Sequence, residues 1–519
     1  MALLKVAWNQ LRTFCGFGNE TSYLWPRWIV LRGVGLVFVV IFAGILQEGS
    51  GLVGPHGLRP VADYCAQAES MLPGVVERIL RVPSLFLVSS HLATVVTLEW
   101  CGRAAAVALV LNLWPRLALF ACWAIFLSFV AVWQEFASTL NDPLILETTL
   151  LCIPFAPSGV RPGLGVASPP WPITVFMMRW LVVRVMLTAG IAKMIGGDAR
   201  WLNFTFMEDM YVTSPAPTVL GYYAYHLPHA YHVFETLFTF VAELFAPILA
   251  IFGGRRGRAA AVAIWISFQI GIQLTGNFAW LNLAAITLGL LLLDDQMIVS
   301  VLRRLRALAW AERVAASARP APALRGWRQA ALSAELWPHF ALSVYIPIVM
   351  LSGGLVLGRV DPRTHPLQFL VRDFRAANCY SLYITTPRVR HDVEFVGSND
   401  DGQTWRSYAF RYRPQFEDRM PPFLGPHFSR FETGLMIQFN YYSNARIIPD
   451  VARHLLKGDR DVVGLFAGNP FPEAPPLVVR MIVYRYSYND LPTFRKTGRY
   501  WTKDYVADYG PPVTAVGPQ

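Results

Sequence analysis

Ionisable side chains inside long apolar runs are the first residues in this sequence with a potential for chemistry. Arg184 lies within the run 173–194, about 16 Å from its start at the ~1.5 Å rise per residue of a helix. Glu147, Glu235 and Glu243 lie in other apolar runs and are potential partners. A charge is costly in a bilayer, so each such residue is either paired within a helical bundle or part of a ligand or catalytic site.

Lys193 lies at the end of the same run, in the string GIAKMIGGDARW, which also contains Asp198 and Trp201. At about 100° per residue, the spacing between Arg184 and Lys193 places the two cations on opposite faces of a helix, so they do not form one site. Lys193 would extend to the membrane interface or pair with Asp198. If it is buried without its charge, it would act as a catalytic base.

Two further patterns are polar groups at helical spacing. Gln269 and Gln273 share a helix face, where side-chain amides either bond neighbouring helices or line a polar cavity. His226, His229 and His232 recur every third residue, as metal ligands on one helix face would. An intervening proline and the surrounding tyrosines favour an aromatic belt at the membrane interface, and we predict no metal site.

The elements that must position these residues are membrane-spanning helices. Of the 519 residues, 54% are apolar and 15% are charged, against about 25% charged in soluble domains, so a soluble globule and a disordered chain are both excluded. Several apolar runs cross, or nearly cross, a bilayer, and the fourth of them is short and ends near two prolines. The runs are 28–46, 84–112, 117–136, 143–156, 173–194, 232–253, 258–275, 278–294 and 338–358.

Charge between the runs predicts the topology. The net charge is +11, and basic residues collect before the first run and in the segment 303–328, as they do in cytoplasmic loops. Nucleic-acid binding explains this charge less well. With the N-terminus in the cytoplasm, an odd number of spans places the chain after residue 358 outside, in the periplasm or the endoplasmic reticulum lumen. Two large loops, 47–83 and 195–231, face the same side.

The chain changes character after residue 358. The string VEFVGSNDDGQTWRSYAFRYRP alternates apolar and polar residues around a polar turn, and LVVRMIVYRYSY is typical of another strand. We therefore predict a cytoplasmic segment 1–27, a helical transmembrane domain 28–358 of about nine spans, and a small β-rich, β-sandwich-like extracytoplasmic domain 359–519.

Nine strings form an ordered set along nearly the whole chain. In the membrane part they are WIVLRGVGLVFVVIFAGIL, GLVGPHGLRPV, TLNDPLILETTLLCIPFAP, RVMLTAGIAKMIGGDARW and LTGNFAWLNLAAITLGLLLLDD, and in the tail NCYSLY, EFVGSNDDGQTW, FRYRP and PHFSRFE. Together they resemble the lipase maturation factor family. The resemblance implies a membrane factor that, in animals, resides in the endoplasmic reticulum and helps secreted dimeric lipases fold and assemble. A bacterial member would lie in the inner membrane, and the expected partners are a secreted client protein and membrane lipids.

A more distant similarity links the membrane part to the membrane domain of vitamin K-dependent gamma-glutamyl carboxylase. In that family the lysine of a Gly-x-x-Lys pattern, followed by Asp and Trp, acts as the active-site base. Lys193, Asp198 and Trp201 occupy a comparable pattern, with two extra residues before the aspartate. The similarity implies a membrane enzyme with Lys193 as base beside a lipid or quinone cavity. Otherwise no cofactor is expected.

Two functional hypotheses therefore stand beside each other. In the first, a non-enzymatic folding or assembly factor binds a partly folded client through its outer loops and β-rich tail, using edge strands or surface aromatics. Trp405, Tyr408, Tyr412 and Phe431 are the candidate aromatics, and strand alternation directs about half of them to the core. The second is the membrane enzyme. A transporter-like bundle ranks below both, because the sequence contains no recognisable inverted repeat.

Overall fold

A long apolar run has one way to satisfy its backbone polar groups in lipid without a partner strand, which is to form an α-helix. The computed structural model describes residues 2–16, 22–137, 141–319, 327–351, 369–381, 383–400, 402–441 and 445–514. Up to residue 351 the regular elements of the described chain are all helices. The predicted domain boundary at 358 and 359 lies outside the described residues.

Helices α1 to α18 form the membrane part. The first are α1 (Ala2–Phe14), α2 (Leu24–Val53), α3 (Val61–Met71), α4 (Val75–Arg81), α5 (Leu92–Val110), α6 (Pro115–Val132), α7 (Asn141–Phe155), α8 (Pro172–Ile195), α9 (Ala199–Leu202), α10 (Phe206–Thr213) and α11 (Val219–Tyr225). The others are α12 (His229–Phe240), α13 (Ala246–Phe252), α14 (Gly254–Gly276), α15 (Trp280–Gly289), α16 (Asp295–Arg304), α17 (Leu308–Ser317) and α18 (Trp327–Leu351). A π-helical turn, Val241–Phe245, joins α12 to α13.

Among the described residues, 7 helical segments are long and apolar enough to cross a membrane, and a bent pair would add an eighth. The seven are Leu24–Val53, Leu92–Val110, Pro115–Val132, Pro172–Ile195, His229–Phe252, Gly254–Gly276 and Ala330–Leu351. Each coincides with a predicted run. The bent pair, Trp280–Leu292 and Asp295–Arg304, corresponds to the run 278–294 and turns by 103°. A polytopic helical membrane domain is therefore confirmed.

The short run 143–156 forms α7, which has 15 residues against about 20 in a typical span. Near its start, Arg430 of the C-terminal region donates hydrogen bonds of 2.9 and 2.7 Å to the two oxygens of Asp142. Beyond its other end, the Ala156 carbonyl accepts a 2.9 Å hydrogen bond from Nε of Arg116, at the beginning of α6. Since α6 and α7 are consecutive antiparallel helices, α7 connects the two ends of the bundle despite its length.

The segment after α14 likewise returns to the end of the bundle where α14 begins. Nε of Arg258, in an early turn of α14, donates a 3.0 Å hydrogen bond to the Leu292 carbonyl. From there α16 and α17 lie along that end, and Oδ1 of Asp295 accepts a 2.9 Å hydrogen bond from the backbone N–H of Trp25. α18 then runs parallel to α8. The chain therefore reaches the C-terminal region at the opposite end of the bundle.

The C-terminal region contains an antiparallel sheet. Its strands run in the order β2-β1-β3-β4, and β5 also pairs with β3. The strings predicted to be strands are β1 and β3, so a β-rich domain is confirmed. The elements are β1 (Arg390–Ser398), β2 (Arg406–Ser407), α19 (Arg430–Tyr441), α20 (Ile447–Lys457), α21 (Arg460–Val463), β3 (Val478–Tyr488), α22 (Leu491–Thr497), β4 (Trp501–Asp508) and β5 (Val513–Thr514).

Helices, rather than a second sheet, cover this sheet in the described part of the domain. α20 packs against β3 and buries Ile447, Ile448, Val451 and Leu455, which recur at the spacing of one helix face. α19 contacts β1. Because the segment between β2 and β3 has helical periodicity, it forms helices where a β-sandwich would have further strands.

The C-terminal domain contacts both loops that were predicted on its side of the membrane. Arg59 of the first loop forms a 2.8 Å ion pair with Asp450 of α20. The Tyr222 hydroxyl of the second loop donates a 2.9 Å hydrogen bond to the Asn489 carbonyl. Each loop contains short helices, α3 and α4 in the first and α9 to α11 in the second. The two loops and the C-terminal domain therefore share one face of the bundle.

Candidate functional site

Helix α8 carries two buried cations that pair with different carboxylates. Arg184 lies near the middle of the helix and Lys193 in its last turn, and the two are 2% and 4% exposed. Arg184 pairs with Glu147 of α7, whereas Lys193 pairs with Glu243 of the π-helical turn. They belong to separate clusters, as their spacing on the helix predicts.

Glu147 is bound by donors on both of its oxygens. Oε1 faces Arg184 and lies 3.2 Å from Nε2 of His339. Oε2 accepts hydrogen bonds from the Tyr380 hydroxyl at 2.7 Å and from the backbone and side-chain amides of Asn378, both at 3.0 Å. Asn378 and Tyr380 belong to the string NCYSLY. Of the two interpretations open for Arg184, this geometry is that of an ion pair that locks the bundle.

Lys193 has a simpler environment. Its Nζ donates 2.8 Å hydrogen bonds to both oxygens of Glu243 and lies 5.2 Å from the ring centroid of Trp201. Asp198 binds Arg200 instead, and this hydrogen bonding lowers the pKa of Asp198 to about 2. The expectations that Lys193 extends to the interface or pairs with Asp198 are therefore wrong, because the nearer carboxylate comes from a helix distant in sequence.

The π-helical turn explains how Glu243 reaches α8. Such a turn contains an extra residue, which changes the direction of the following side chains, and π turns are frequent at functional sites. The Ala242 carbonyl accepts a 2.6 Å hydrogen bond from the indole N–H of Trp265, so the widened turn keeps that backbone group satisfied. The sequence contained no signal for this turn.

A cavity of about 310 Å³ lies beside the Lys193–Glu243 pair, between α8, α10, α12 and α14. Its volume is at the small end of the roughly 300–1,000 Å³ of ligand pockets. Most of its wall is aromatic or aliphatic, with Phe206, Met210 and Phe268 among the lining residues. Trp201, Glu235 and Gln269, all singled out in the sequence, also line it.

Two of those lining residues have partners within the wall. Glu235 accepts a hydrogen bond from the Tyr211 hydroxyl and lies 3.2 Å from Nδ1 of His232. Oε1 of Gln269 accepts a 2.7 Å hydrogen bond from Nδ2 of Asn282. The polar part of the cavity wall is thus made of separate small groups of side chains rather than one extended network.

The remaining polar candidates lie apart from the cavity. Gln273 donates a 3.1 Å hydrogen bond to Asn277 at the end of α14. His226 packs against Tyr222 with ring centroids 4.6 Å apart, and Nδ1 of His229 lies 2.6 Å from Glu208. Among the described residues there is no group of three side chains that could hold a metal ion.

A second buried cluster, missed in the sequence, joins the two domains. Oε1 of Glu48, in the last turns of α2, accepts a 2.7 Å hydrogen bond from the Ser429 hydroxyl. Its Oε2 accepts from the backbone N–H groups of Arg430 and Phe431, at 2.8 and 3.3 Å. These amides begin α19, where a negative charge is favoured. With the Arg430–Asp142 pair, we call this group the α19 clamp.

Part of this cluster could have been identified from the sequence, because charged residues inside membrane spans are candidate functional residues. The predicted boundaries of two spans excluded them. Glu48 lies just beyond the predicted end of the first span, and Asp142 lies just before the fourth. Glu99 lies inside the predicted second span and is 6% exposed, and the same rule applied to that span would have found it.

Glu432, three residues after the start of the clamp, is a buried carboxyl outside the membrane spans. It accepts backbone hydrogen bonds from Arg411 at 2.7 Å and Tyr412 at 3.0 Å. Burial is the largest influence and raises the pKa of Glu432 to about 7, although these hydrogen bonds act in the opposite direction. The group therefore titrates near neutral pH.

Two family models match the chain. The lipase maturation factor transmembrane domain matches residues 25–300, and the lipase maturation factor C-terminal domain matches residues 376–511. Lipase maturation factor 1 of Bos taurus is 28% identical over 94% of this chain and 89% of its own, and the Mus musculus protein is 26% identical over 95% and 88%. Lipase maturation factor 2 of Rattus norvegicus is 25% identical over 95% and 84%. No solved structure matches. The chain belongs to the lipase maturation factor family.

Proposed function

We propose that the protein is a non-enzymatic membrane factor that assists the folding or assembly of secreted proteins, with a lipase as the expected client. The names of its relatives support this role. The arrangement of the chain supports it too, because the two large loops and the C-terminal domain form one composite surface. A secreted protein that has crossed the membrane would therefore encounter the two loops and the C-terminal domain as one continuous surface.

The observation that carries this proposal is an exposed apolar patch on that face. Val75, Val76 and Ile79 of α4 are 65%, 72% and 51% exposed, and α4 buries none of its residues. We call these three side chains the α4 patch. Clustered apolar exposure is typical of surfaces that bind other molecules. Arg81 of α4 lies 3.9 Å from Asp373, so the patch adjoins the start of the C-terminal region.

The other surfaces expected to bind a client are less suited to it. β4 is an edge strand of the described sheet, but it carries Lys503 and Asp504, and its register with β3 is interrupted by a bulge. Charges and bulges protect edge strands from pairing. Two of the four candidate aromatics, Tyr408 and Phe431, are buried, in agreement with the expectation that about half of them face the core.

We infer that this face lies outside the cytoplasm, in the bacterial periplasm or the endoplasmic reticulum lumen, and that the N-terminus is cytoplasmic. The opposite face carries basic residues of α14, α16 and α17, as cytoplasmic loops do. A cysteine replacing the exposed Gln403 should react with an impermeant maleimide added to intact spheroplasts. Reaction only after permeabilisation would reverse the topology.

The client proposal is tested by a photocrosslinking amino acid placed at Val76 in the full-length protein in its host. We expect crosslinks to newly secreted polypeptides, including a co-expressed secreted lipase. The control position is Leu308 of α17, which is 59% exposed on the opposite face and should give no such crosslinks. If Val76 captures only lipid, or if both positions capture the same proteins, the patch is not a client surface.

A functional assay complements the crosslinks. Replacing Val76 and Ile79 together by serine should lower the yield of active secreted lipase while leaving the membrane level of the factor unchanged. The matched control replaces the exposed Leu305 and Leu308, on the opposite face, by serine. An equal lipase yield from both double variants and the parent protein would contradict the proposal.

A second candidate function is the membrane enzyme with Lys193 as base, favoured by the position of Lys193 in the wall of the cavity. The enzyme ranks second because Nζ of Lys193 donates hydrogen bonds to both oxygens of Glu243 and is engaged in that ion pair. Under this alternative, Lys193→Ala changes the lipid or quinone composition of the membrane and leaves client capture intact. Unchanged small molecules in the variant would rule it out.

A further inference from the structure

The cavity beside Lys193 opens through the side of the bundle rather than towards water. On one side of the opening lies Phe234 of α12, which is 59% exposed. On the other side, Ser267, Gly271 and Thr275 recur every fourth residue along α14 and line the cavity. A Cβ atom at Gly271 would meet no atom within 4 Å, so there is open space at the rim.

Along the axis of the helices, the opening lies in the half of the bundle nearest the C-terminal domain. Gly271 lies five residues before the end of α14, or about 8 Å along the helix axis. At that end the Thr218 hydroxyl, from the second large loop, donates a 2.7 Å hydrogen bond to the Leu274 carbonyl. A ligand therefore enters from the hydrocarbon of one leaflet and must be soluble in lipid.

The wall of the cavity contains a buried hydrogen-bond acceptor that has no donor among the described residues. Asn282 is 2% exposed, and its Nδ2 is used by Gln269, whereas its Oδ1 has no hydrogen-bond partner among the described residues. A buried polar atom without a partner is destabilising, and a donor on a ligand would offset that cost. Gln269 and Asn282 both line the cavity.

The charges in the wall select against an ionic ligand. Lys193 and Glu243 neutralise each other through two 2.8 Å hydrogen bonds, and Glu235 is held by Tyr211. An anionic head group would lie close to two carboxylates, and a cationic one close to Lys193. Among the described lining residues, the buried polar atom without a hydrogen-bond partner is Oδ1 of Asn282, an uncharged acceptor, so a neutral donor such as a hydroxyl is the complementary head.

We propose that this cavity binds a neutral single-chain lipid, with its hydrocarbon chain between α12 and α14 and a hydroxyl of its head donating to Oδ1 of Asn282. The predominantly aromatic and aliphatic wall suits one chain, and the volume of about 310 Å³ suits a small ligand. This inference does not depend on the protein assisting secreted clients, because it rests on the cavity alone.

The test uses the full-length protein in nanodiscs and a monoacylglycerol with a diazirine on its acyl chain. We expect labelling of α12 and α14, displaced by unlabelled monoacylglycerol at least tenfold more effectively than by the methyl ester of the same fatty acid, which has no hydroxyl. Labelling elsewhere in the bundle, or equal displacement by the two competitors, would overturn the proposal.

Variants at the rim separate specific binding from general lipid contact. Gly271→Trp fills the opening and should reduce labelling at least tenfold. Ile270→Trp is the matched control, because Ile270 is its neighbour on the same helix and is 45% exposed without lining the cavity. Equal labelling of the two variants, with matching thermal unfolding, would overturn the lateral entry.

A third variant tests the head group. Asn282→Leu removes the unmet acceptor, and we expect labelling to persist while the preference for monoacylglycerol over the methyl ester disappears. A preference retained in this variant would show that Asn282 does not bind the hydroxyl. Since each readout is a ratio within one variant, a lower protein yield does not obscure the result.

Discussion

The two ion pairs of α8 are both buried, yet their surroundings differ. Glu147 receives donors from Arg184, His339, Tyr380 and Asn378, and these come from three separate segments of the chain. Glu243, among the described residues, accepts hydrogen bonds only from Lys193 and adjoins a cavity. A carboxylate with many donors fixes the helices around it, whereas a carboxylate with one donor leaves room for a ligand.

The largest expected effect comes from breaking the first pair. Arg184→Met leaves Glu147 buried without its main cation, which costs about 3–5 kcal/mol of the free energy of unfolding. We expect little folded protein in detergent, measured by size exclusion and thermal unfolding. The control is Arg485→Met, which removes an exposed pair with Asp504 worth at most about 1 kcal/mol. If both variants fold equally well, the donor-rich cluster does not lock the bundle.

The α19 clamp contains another buried ion pair, between Arg430 and Asp142, which extends the comparison to the contact between the two domains. Arg430→Gln removes the cation that is hydrogen-bonded to both oxygens of Asp142, and we expect a loss of about 2–4 kcal/mol, close to the range for a broken buried pair. Limited proteolysis of the full-length protein should release the C-terminal domain sooner than in the parent. Unchanged proteolysis would mean that other contacts hold the two domains together.

Glu432 is a buried carboxyl that accepts hydrogen bonds but forms no ion pair with any residue that the structure describes. Its pKa is about 7 in the folded chain against an ordinary 4.5, so the folded state binds this proton more tightly than the unfolded state. The stabilisation is complete below about pH 4.5 and is lost as the pH rises through 7, with an upper limit of about 3 kcal/mol.

The variant Glu432→Gln should remove this contribution. Thermal unfolding of the full-length protein between pH 5 and 7.5 should therefore depend less on pH in the variant than in the parent. The same slope in both proteins would show that Glu432 is already ionised at pH 5 in the folded state.

The smallest effect is expected for the pair beside the cavity when both charges are removed together. Lys193→Met combined with Glu243→Met should change the free energy of unfolding by less than about 1 kcal/mol, because replacing a whole buried pair by apolar residues is often neutral. Each single variant should be less stable than the double variant. If the double variant were as unstable as Arg184→Met, the two ion pairs would contribute equally to the stability of the bundle.

The sequence predicted the membrane helices well because hydropathy reflects a strong physical constraint. The seven long spans and the strands β1 and β3 all appear where composition and alternation indicated. Whether the short run 143–156 spans the membrane does not follow from the sequence, since the 15 residues of α7 alone do not decide whether a helix crosses. Contacts of its two ends with distant residues decide it.

The candidate sites were predicted less completely. Mid-helix charges such as Arg184 were found by a general rule, but their partners depend on how helices pack. Glu243 became the partner of Lys193 through a π-helical turn that no residue pattern announced. The cavity arises only where α8, α10, α12 and α14 pack together. Its unmet acceptor, Oδ1 of Asn282, can be identified only from the structure, in which Nδ2 of the same amide donates to Gln269.

The hydrogen bond between Glu48 and Ser429 has a consequence for the synthesis of the chain. The two residues are 381 positions apart, which at about 5–20 residues per second corresponds to roughly 20–80 s of translation. Throughout that interval the first span is in the membrane while the donors of its carboxylate have not been made. The C-terminal domain is therefore the last part to assemble, and a chain that ends before Ser429 leaves the Glu48 carboxylate without the donors of α19.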